Sequence, residues 1–175
     1  MRNAGDSPLP VRRVVTGHDV NRVGCVVKDD LAANRRSSRP LSTSTLIWST
    51  DAMPVPMPIG EDVEDMGARQ LGSQPPASGA RFIVMDFLPG ATGAMHRTDS
   101  IDFIVVIEGE IDMDMDRSTV TLKAGDTMVQ RGAFHAWVNR SAARARIAIT
   151  LIDGERLGIG RPTEGGRYGP DEKRL

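Results

Sequence analysis

The stretch "MHRTDSIDFIVVIEGE", Met95–Glu110, sets a polar cluster directly ahead of a run of β-branched residues. Phe103–Ile107 has the composition of a buried strand, and His96, Thr98 and Asp102 stand at its mouth. A turn between two strands would account for the polarity. A metal site inside a barrel would account for the choice of residues as well. Side chains alternate across a strand, so His96 and Thr98 share one face and Arg97 takes the other. By the same parity Asp102, Ile104 and Val106 share a face on the next strand.

Downstream the pattern continues. In "EIDMDMD" Ile111, Met113 and Met115 alternate with Asp112, Asp114 and Asp116, which predicts a half-buried strand with a solvated acidic face. The run that follows, "DMDMDRSTVTLK", begins like a calcium-binding EF-hand loop. Arg117 stands where that loop needs Gly and Lys123 where it needs a bidentate Glu, so the likeness fails. Asp116–Ser118 turns into "TVTL", "KAGD" makes another turn, and "TMVQ", "FHAWVN" and "RARIAITLI" read as further strands. On "FHAWVN", His135, Trp137 and Asn139 share one face.

Upstream, "RFIVMDFL" from Arg81 is a strand closed by the turn Pro89-Gly90, with a short strand carrying His96 behind it. Val11–Thr16 and Gly24–Lys28 predict a hairpin, and Ser44–Thr50 a third strand after a loop over residues 34–40. Asp51–Ser78, rich in Pro, Gly and acid, reads as an insertion loop. One short helix is expected around Glu61–Leu71, where acids crowd the first turn. Residues 1–10 and the Gly-, Arg- and Pro-rich tail 155–175 are expected to be loosely ordered. Short strands with regular turn signals predict an all-β sandwich or barrel over residues 11–154, with a core at 81–152 and extra N-terminal strands.

If adjacent strands carry His96, Asp102 and His135 into one interior, two imidazoles and one carboxylate converge. That set suits non-haem Fe(II) with open positions, and also Zn, Mn, Ni or Co. The chain resembles a single-domain member of the cupin superfamily. Gly90, His96, Thr98, Asp102 and Gly109 keep every spacing of the first cupin motif, a Gly, five residues, His-x-His, three or four residues, Glu, six residues and Gly. Gly125, Gly132, His135 and Asn139 fit the second motif, with Gln130 where Pro is usual and one residue fewer after the first Gly.

The resemblance implies a β-sandwich jelly-roll barrel, a small-molecule pocket, a homodimer and a four-ligand metal site. Thr98 replaces the second His and Asp102 replaces Glu, so the expected ligands are His96, Asp102 and His135, with Fe(II) favoured. Thr98 is then expected to hold a water or the Asp102 carboxylate. Trp137 reads as core or as an aromatic pocket wall, and Asn139 as satisfying turn backbone. Gln130 and Arg131 fall near the rim, where Arg131 could meet an acidic substrate. Asp86 is either outward-facing or a general base, and His18 a turn residue.

The function that follows is an enzyme acting at a metal on a small, partly apolar or aromatic molecule, with oxygenase-type chemistry foremost. Similar short cupins look like tailoring enzymes of aromatic or polyketide-type metabolism. The alternatives are a redox-neutral lyase, dehydratase, cyclase or isomerase, and a non-catalytic small-molecule-binding module. A formal net charge of −1 over 175 residues gives no electrostatic footprint for nucleic acid or an anionic membrane. The single cysteine, Cys25, excludes an intrachain disulfide. Neither a signal peptide nor a membrane-spanning stretch is evident, which predicts a cytoplasmic protein.

Overall fold

The computed structural model describes residues 9–60 and 62–159. Within them the chain forms eleven strands and no helix. They are β1 (Arg12–His18), β2 (Gly24–Leu31), β3 (Arg35–Arg39), β4 (Ser42–Thr50), β5 (Ala80–Phe87) and β6 (Ser100–Glu108), then β7 (Glu110–Met115), β8 (Thr119–Lys123), β9 (Thr127–Arg131), β10 (His135–Val138) and β11 (Ala145–Asp153). They build a six-stranded sheet in the order β3-β4-β5-β11-β6-β9, a three-stranded sheet β10-β7-β8, and the β1-β2 hairpin.

The two larger sheets close on one core. Alternate residues of β6 and β11 (Ile104, Val106, Ile147 and Ile149) meet Ile111 and Met113 of β7 and Trp137 of β10. The intervening residues of β6 (Phe103, Val105 and Ile107) are exposed on the outer face, as parity requires. Between β6 and β7 the chain reverses at Gly109, whose φ is +75°. A Cβ there would lie 2.2 Å from the Arg144 carbonyl oxygen, so only glycine lets β7 leave β6 at that angle.

The N-terminal hairpin covers part of the outer face. Val11 and Ala32 pack on Ile47, Val84 and Ala148, and Arg13 bridges Asp30 and Asp65 at 2.7 Å each. Arg146 pairs with Asp86 at 2.8 Å on the same side and donates to the Leu9 carbonyl at 2.9 Å. Asp86 is thus outward-facing, and it is buried by a paired cation rather than set in the pocket.

Three local expectations are corrected. Residues 35–39 form a strand, not a loop, because their backbone pairs with β4 (Arg35 opposite Thr45, Arg36 opposite Ser44). Its arginines suit an edge strand, which charge protects from further pairing. The expected helix around Glu61–Leu71 is absent among the described residues, and Glu61 itself lies outside them. There the chain turns at residues 64–68. The Asp65 carboxylate accepts from the Gly67 amide and holds Arg13, and Gly67 lies so close to β4 that a Cβ would sit 2.4 Å from the Ile47 carbonyl. Finally, the acidic face of β7 is not simply solvated. Arg140 lies across it, donating to Asp112 at 2.8 Å and Asp114 at 2.6 Å, and Asp112 is buried. Of the expected loose termini, residues 1–8 and 160–175 lie outside the described residues.

Candidate functional site

Between the two sheets lies a cavity of about 460 Å³. Its walls are Ile83, Met85 and Phe87 of β5, Ile149 and Leu151 of β11, and Trp137 of β10. Trp137 is therefore a pocket wall as well as core. The insertion forms part of the rim through Leu71, Gly72 and Ser73, held there because Arg36 donates to the Leu71 carbonyl at 2.7 Å and Arg81 to the Gly72 carbonyl.

His96 and His135 share one region of this cavity. His96 stands on a single antiparallel bridge to His135 rather than a full strand, and the two residues exchange backbone hydrogen bonds of 2.8 Å each way. Their ring centroids are 4.5 Å apart. Each Nδ1 lies 2.9 Å from a backbone carbonyl, of Ala94 and Ala133 respectively. An Nδ1–H donating there leaves Nε2 with its lone pair for another partner. Burial, and then the proximity of His96, push the His135 imidazole down to about 4, so it is neutral near pH 7.

Gln130 adds a second constraint on His135. Its Oε1 accepts from the Gly132 amide at 2.6 Å, which turns its amide nitrogen toward Ala133 O at 3.0 Å and His135 Nδ1 at 2.9 Å. A neutral imidazole cannot both donate from Nδ1 to Ala133 and accept there from Gln130. Gln130 thus bears directly on which tautomer, and so which Nε2 chemistry, His135 presents.

Asp102 lines the same cavity as the two imidazoles. It occupies a cross-strand row running Arg81 (β5), Leu151 (β11), Asp102 (β6) and Gln130 (β9), so Gln130 stands between it and His135. Ser100 donates to Asp102 at 2.6 Å, and the Thr98 hydroxyl lies 2.7 Å from that of Ser100. Thr98 therefore meets the carboxyl group through Ser100, not directly. Desolvation raises the Asp102 pKa to about 6, against the opposing effects of the Ser100 bond and Arg81. Among the described residues no three of His, Cys, Asp and Glu lie close enough together to hold a metal ion. The expected triad of His96, Asp102 and His135 is thus not assembled as three ligands.

The remaining candidates separate by burial and bonding. Asn139 is buried and structural, donating to the Phe87 and Ala143 carbonyls at 2.9 and 2.8 Å and accepting from Ser141. Arg131 is exposed and outside the cavity wall, and His18 is exposed at the end of β1. Arg81, in contrast, lines the cavity without having been singled out in the sequence. The signal was present, since Arg81 alternates in phase with Ile83, Met85 and Phe87 in "RFIVMDFL".

The model of the cupin domain matches residues 83–152. A phomopsin biosynthesis cluster protein C' of Diaporthe leptostromiformis is 34% identical over 162 residues, covering 83% of this chain and 84% of its own. The cupin-domain-containing oxidoreductase fogC of Aspergillus ruber is 32% identical over 149 residues, covering 82% and 72%. Among solved structures, a Klebsiella pneumoniae protein with a double-stranded β-helix domain aligns over 69% of this chain and 84% of its own, at 18% identity and a TM-score of 0.48. No helix among the described residues is long and apolar enough to cross a membrane.

Proposed function

This chain belongs to the cupin family, and from that premise we propose that it is an oxidoreductase acting on a small, partly apolar organic molecule held between the two sheets. The observation that carries the reading is the pairing of His96 and His135, rings 4.5 Å apart, in a cavity that Ile83, Phe87, Trp137 and Ile149 line together with polar and charged residues. The names of relatives support it: one is a cupin-domain-containing oxidoreductase and another a biosynthesis cluster protein.

The donor set fits a divalent ion held by two nitrogens rather than by three protein ligands. With both Nδ1 atoms turned to backbone carbonyls, the two Nε2 atoms would hold the ion, and imidazole ligands suit Fe(II), Zn, Ni or Co. Such an ion would supply redox or Lewis-acid chemistry and leave positions for substrate. The chain does the rest. Trp137, Phe87 and Ile149 orient an apolar body and exclude water. The Asp102 carboxyl group lines the cavity and is joined to Thr98 through the Ser100 hydroxyl, and proton movement along this chain would exchange which atom donates.

Asp102 favours a second reading, redox-neutral proton transfer by a lyase or isomerase, because a carboxyl group with a pKa of about 6 is matched to general acid–base work. Elemental analysis of tag-free protein, followed by oxygen uptake against a panel of aromatic alcohols and aldehydes, separates these. About one iron per chain, lost in His96→Ala and His135→Ala and accompanied by substrate-dependent oxygen uptake, supports the oxidoreductase. Turnover without oxygen uptake that is abolished in Asp102→Asn supports the second reading. Absence of metal in the wild type after reconstitution overturns the metal-dependent reading.

A further inference from the structure

Arg81 is a cation on the cavity wall that forms no ion pair among the described residues. It lies on the inner face of β5, in phase with Ile83, Met85 and Phe87 of the cavity wall. Among the described residues it donates to a neutral group, the Gly72 carbonyl, and its buried Nε has no hydrogen-bond partner. The neighbouring charges do not compensate. Arg36, also on the cavity wall, repels Arg81, and Asp102 attracts it without forming an ion pair.

The row across the sheet gives the distance. Arg81 and Asp102 are both paired with Leu151, one from each side, so two inter-strand spacings separate them, roughly 10 Å. Other arginines at the rim are already engaged: Arg69 bridges Asp51 and Glu64, and Arg36 donates to Leu71 and Gln70. A guanidinium without a counter-charge in a largely desolvated wall is suited to a planar oxyanion, which its terminal nitrogens can bind through two parallel hydrogen bonds.

We propose that the substrate is an amphiphilic carboxylate: its carboxylate binds Arg81, and its apolar body runs along Leu151 and Ile149 toward His96 and His135. The inference rests on the cavity being the substrate site, as proposed above. It adds that the substrate class is an acid rather than a neutral aromatic, and that Arg81 sets which end enters. A neutral ligand would leave the guanidinium without a counter-charge, which penalises it relative to the acid.

The test is calorimetric titration of the full chain with 4-phenylbutyrate and with 4-phenylbutan-1-ol, which share their apolar body. The wild type is expected to bind the acid at least about tenfold more tightly, with the difference shrinking as salt rises. In Arg81→Gln the acid and the alcohol should bind alike. In Arg81→Lys, which keeps the charge but loses the fork, the preference should fall at least about threefold. Equal binding of both compounds by the wild type overturns the proposal, as does a preference that survives both substitutions. If Arg81→Gln fails to fold, the wild-type comparison and Arg81→Lys still decide it. Because binding is the readout, His135→Ala should keep the acid preference. Loss of turnover with retained preference would therefore bear on the proposed chemistry and not on the anchor.

Discussion

His96 and His135 hold each other through the backbone, each amide donating to the other's carbonyl at 2.8 Å, and this bridge brings their rings to 4.5 Å. One consequence is electrostatic. A proton on His135 is opposed by burial and by its neighbour, so His135 stays neutral at the pH where an exposed histidine begins to charge.

Acidification should therefore reveal two opposing contributions. His135 is pushed down to about 4, so between there and its unfolded value of about 6.5 the unfolded chain binds more protons and stability falls as pH falls. Asp102 is raised to about 6, so its contribution is complete below about pH 4 and is lost as pH rises to 6. Over that window the two nearly cancel. Asp102→Asn removes one of them, and its stability relative to wild type should fall by up to about 1.4 kcal/mol per pH unit on going from pH 6 to pH 4. Urea titrations across that range would measure it, and parallel curves for the two proteins would contradict it.

Gln130→Glu should raise the His135 pKa. A carboxylate beside Nδ1 favours the protonated ring and fixes the Nδ1–H tautomer, where the amide of Gln130 presents a donor at 2.9 Å. A rise of about 1–2 pH units is expected in imidazole NMR titrations. Metal affinity should rise in parallel, because a carboxylate behind a histidine strengthens it as a ligand.

The two faces of β6 should respond unequally to truncation. Ile104 is 2% exposed in the core between the sheets, and Ile107 is 51% exposed on the outer face. Ile104→Ala should cost about 2–5 kcal/mol in urea unfolding through lost transfer energy and a cavity. Ile107→Ala should cost under about 1 kcal/mol. Similar losses at both positions would mean that the outer face is covered in solution.

Arg13 couples the hairpin to the insertion. It is 5% exposed and pairs with Asp30 of β2 and Asp65 of the insertion. Arg13→Ala should destabilise the chain by about 1–3 kcal/mol, since the Asp65 carboxylate loses its main partner. Hydrogen exchange at Gly67 and Ala68 should speed up while exchange within β11 stays slow. Uniform acceleration would instead indicate global destabilisation.

Much of the fold is legible in the alternation of side chains. Ile104 and Val106 inward against Phe103 and Val105 outward, and the glycine at 109, follow from a two-residue period and a turn. The two motif segments both reach the cavity, through His96 and His135. Burial of Ile111 and Met113 was readable for the same reason. The strand at residues 35–39 was not, because an Arg- and Ser-rich segment becomes a strand only when β4 offers its backbone. The turn at residues 64–68 likewise depends on Arg13, far away in sequence.

What the sequence by itself determined is which residues face inward, because parity is a local property of an extended chain. The tertiary structure alone decided which inward residues meet. Cross-strand register paired Asp102 with Gln130 and hydrogen-bonded it to Ser100. The same register placed Arg81 in the Asp102 row, two strands away, with no ion pair among the described residues. Spacing along one chain fixes the face on which a side chain lies, but its neighbour across the sheet depends on long-range pairing that spacing does not encode.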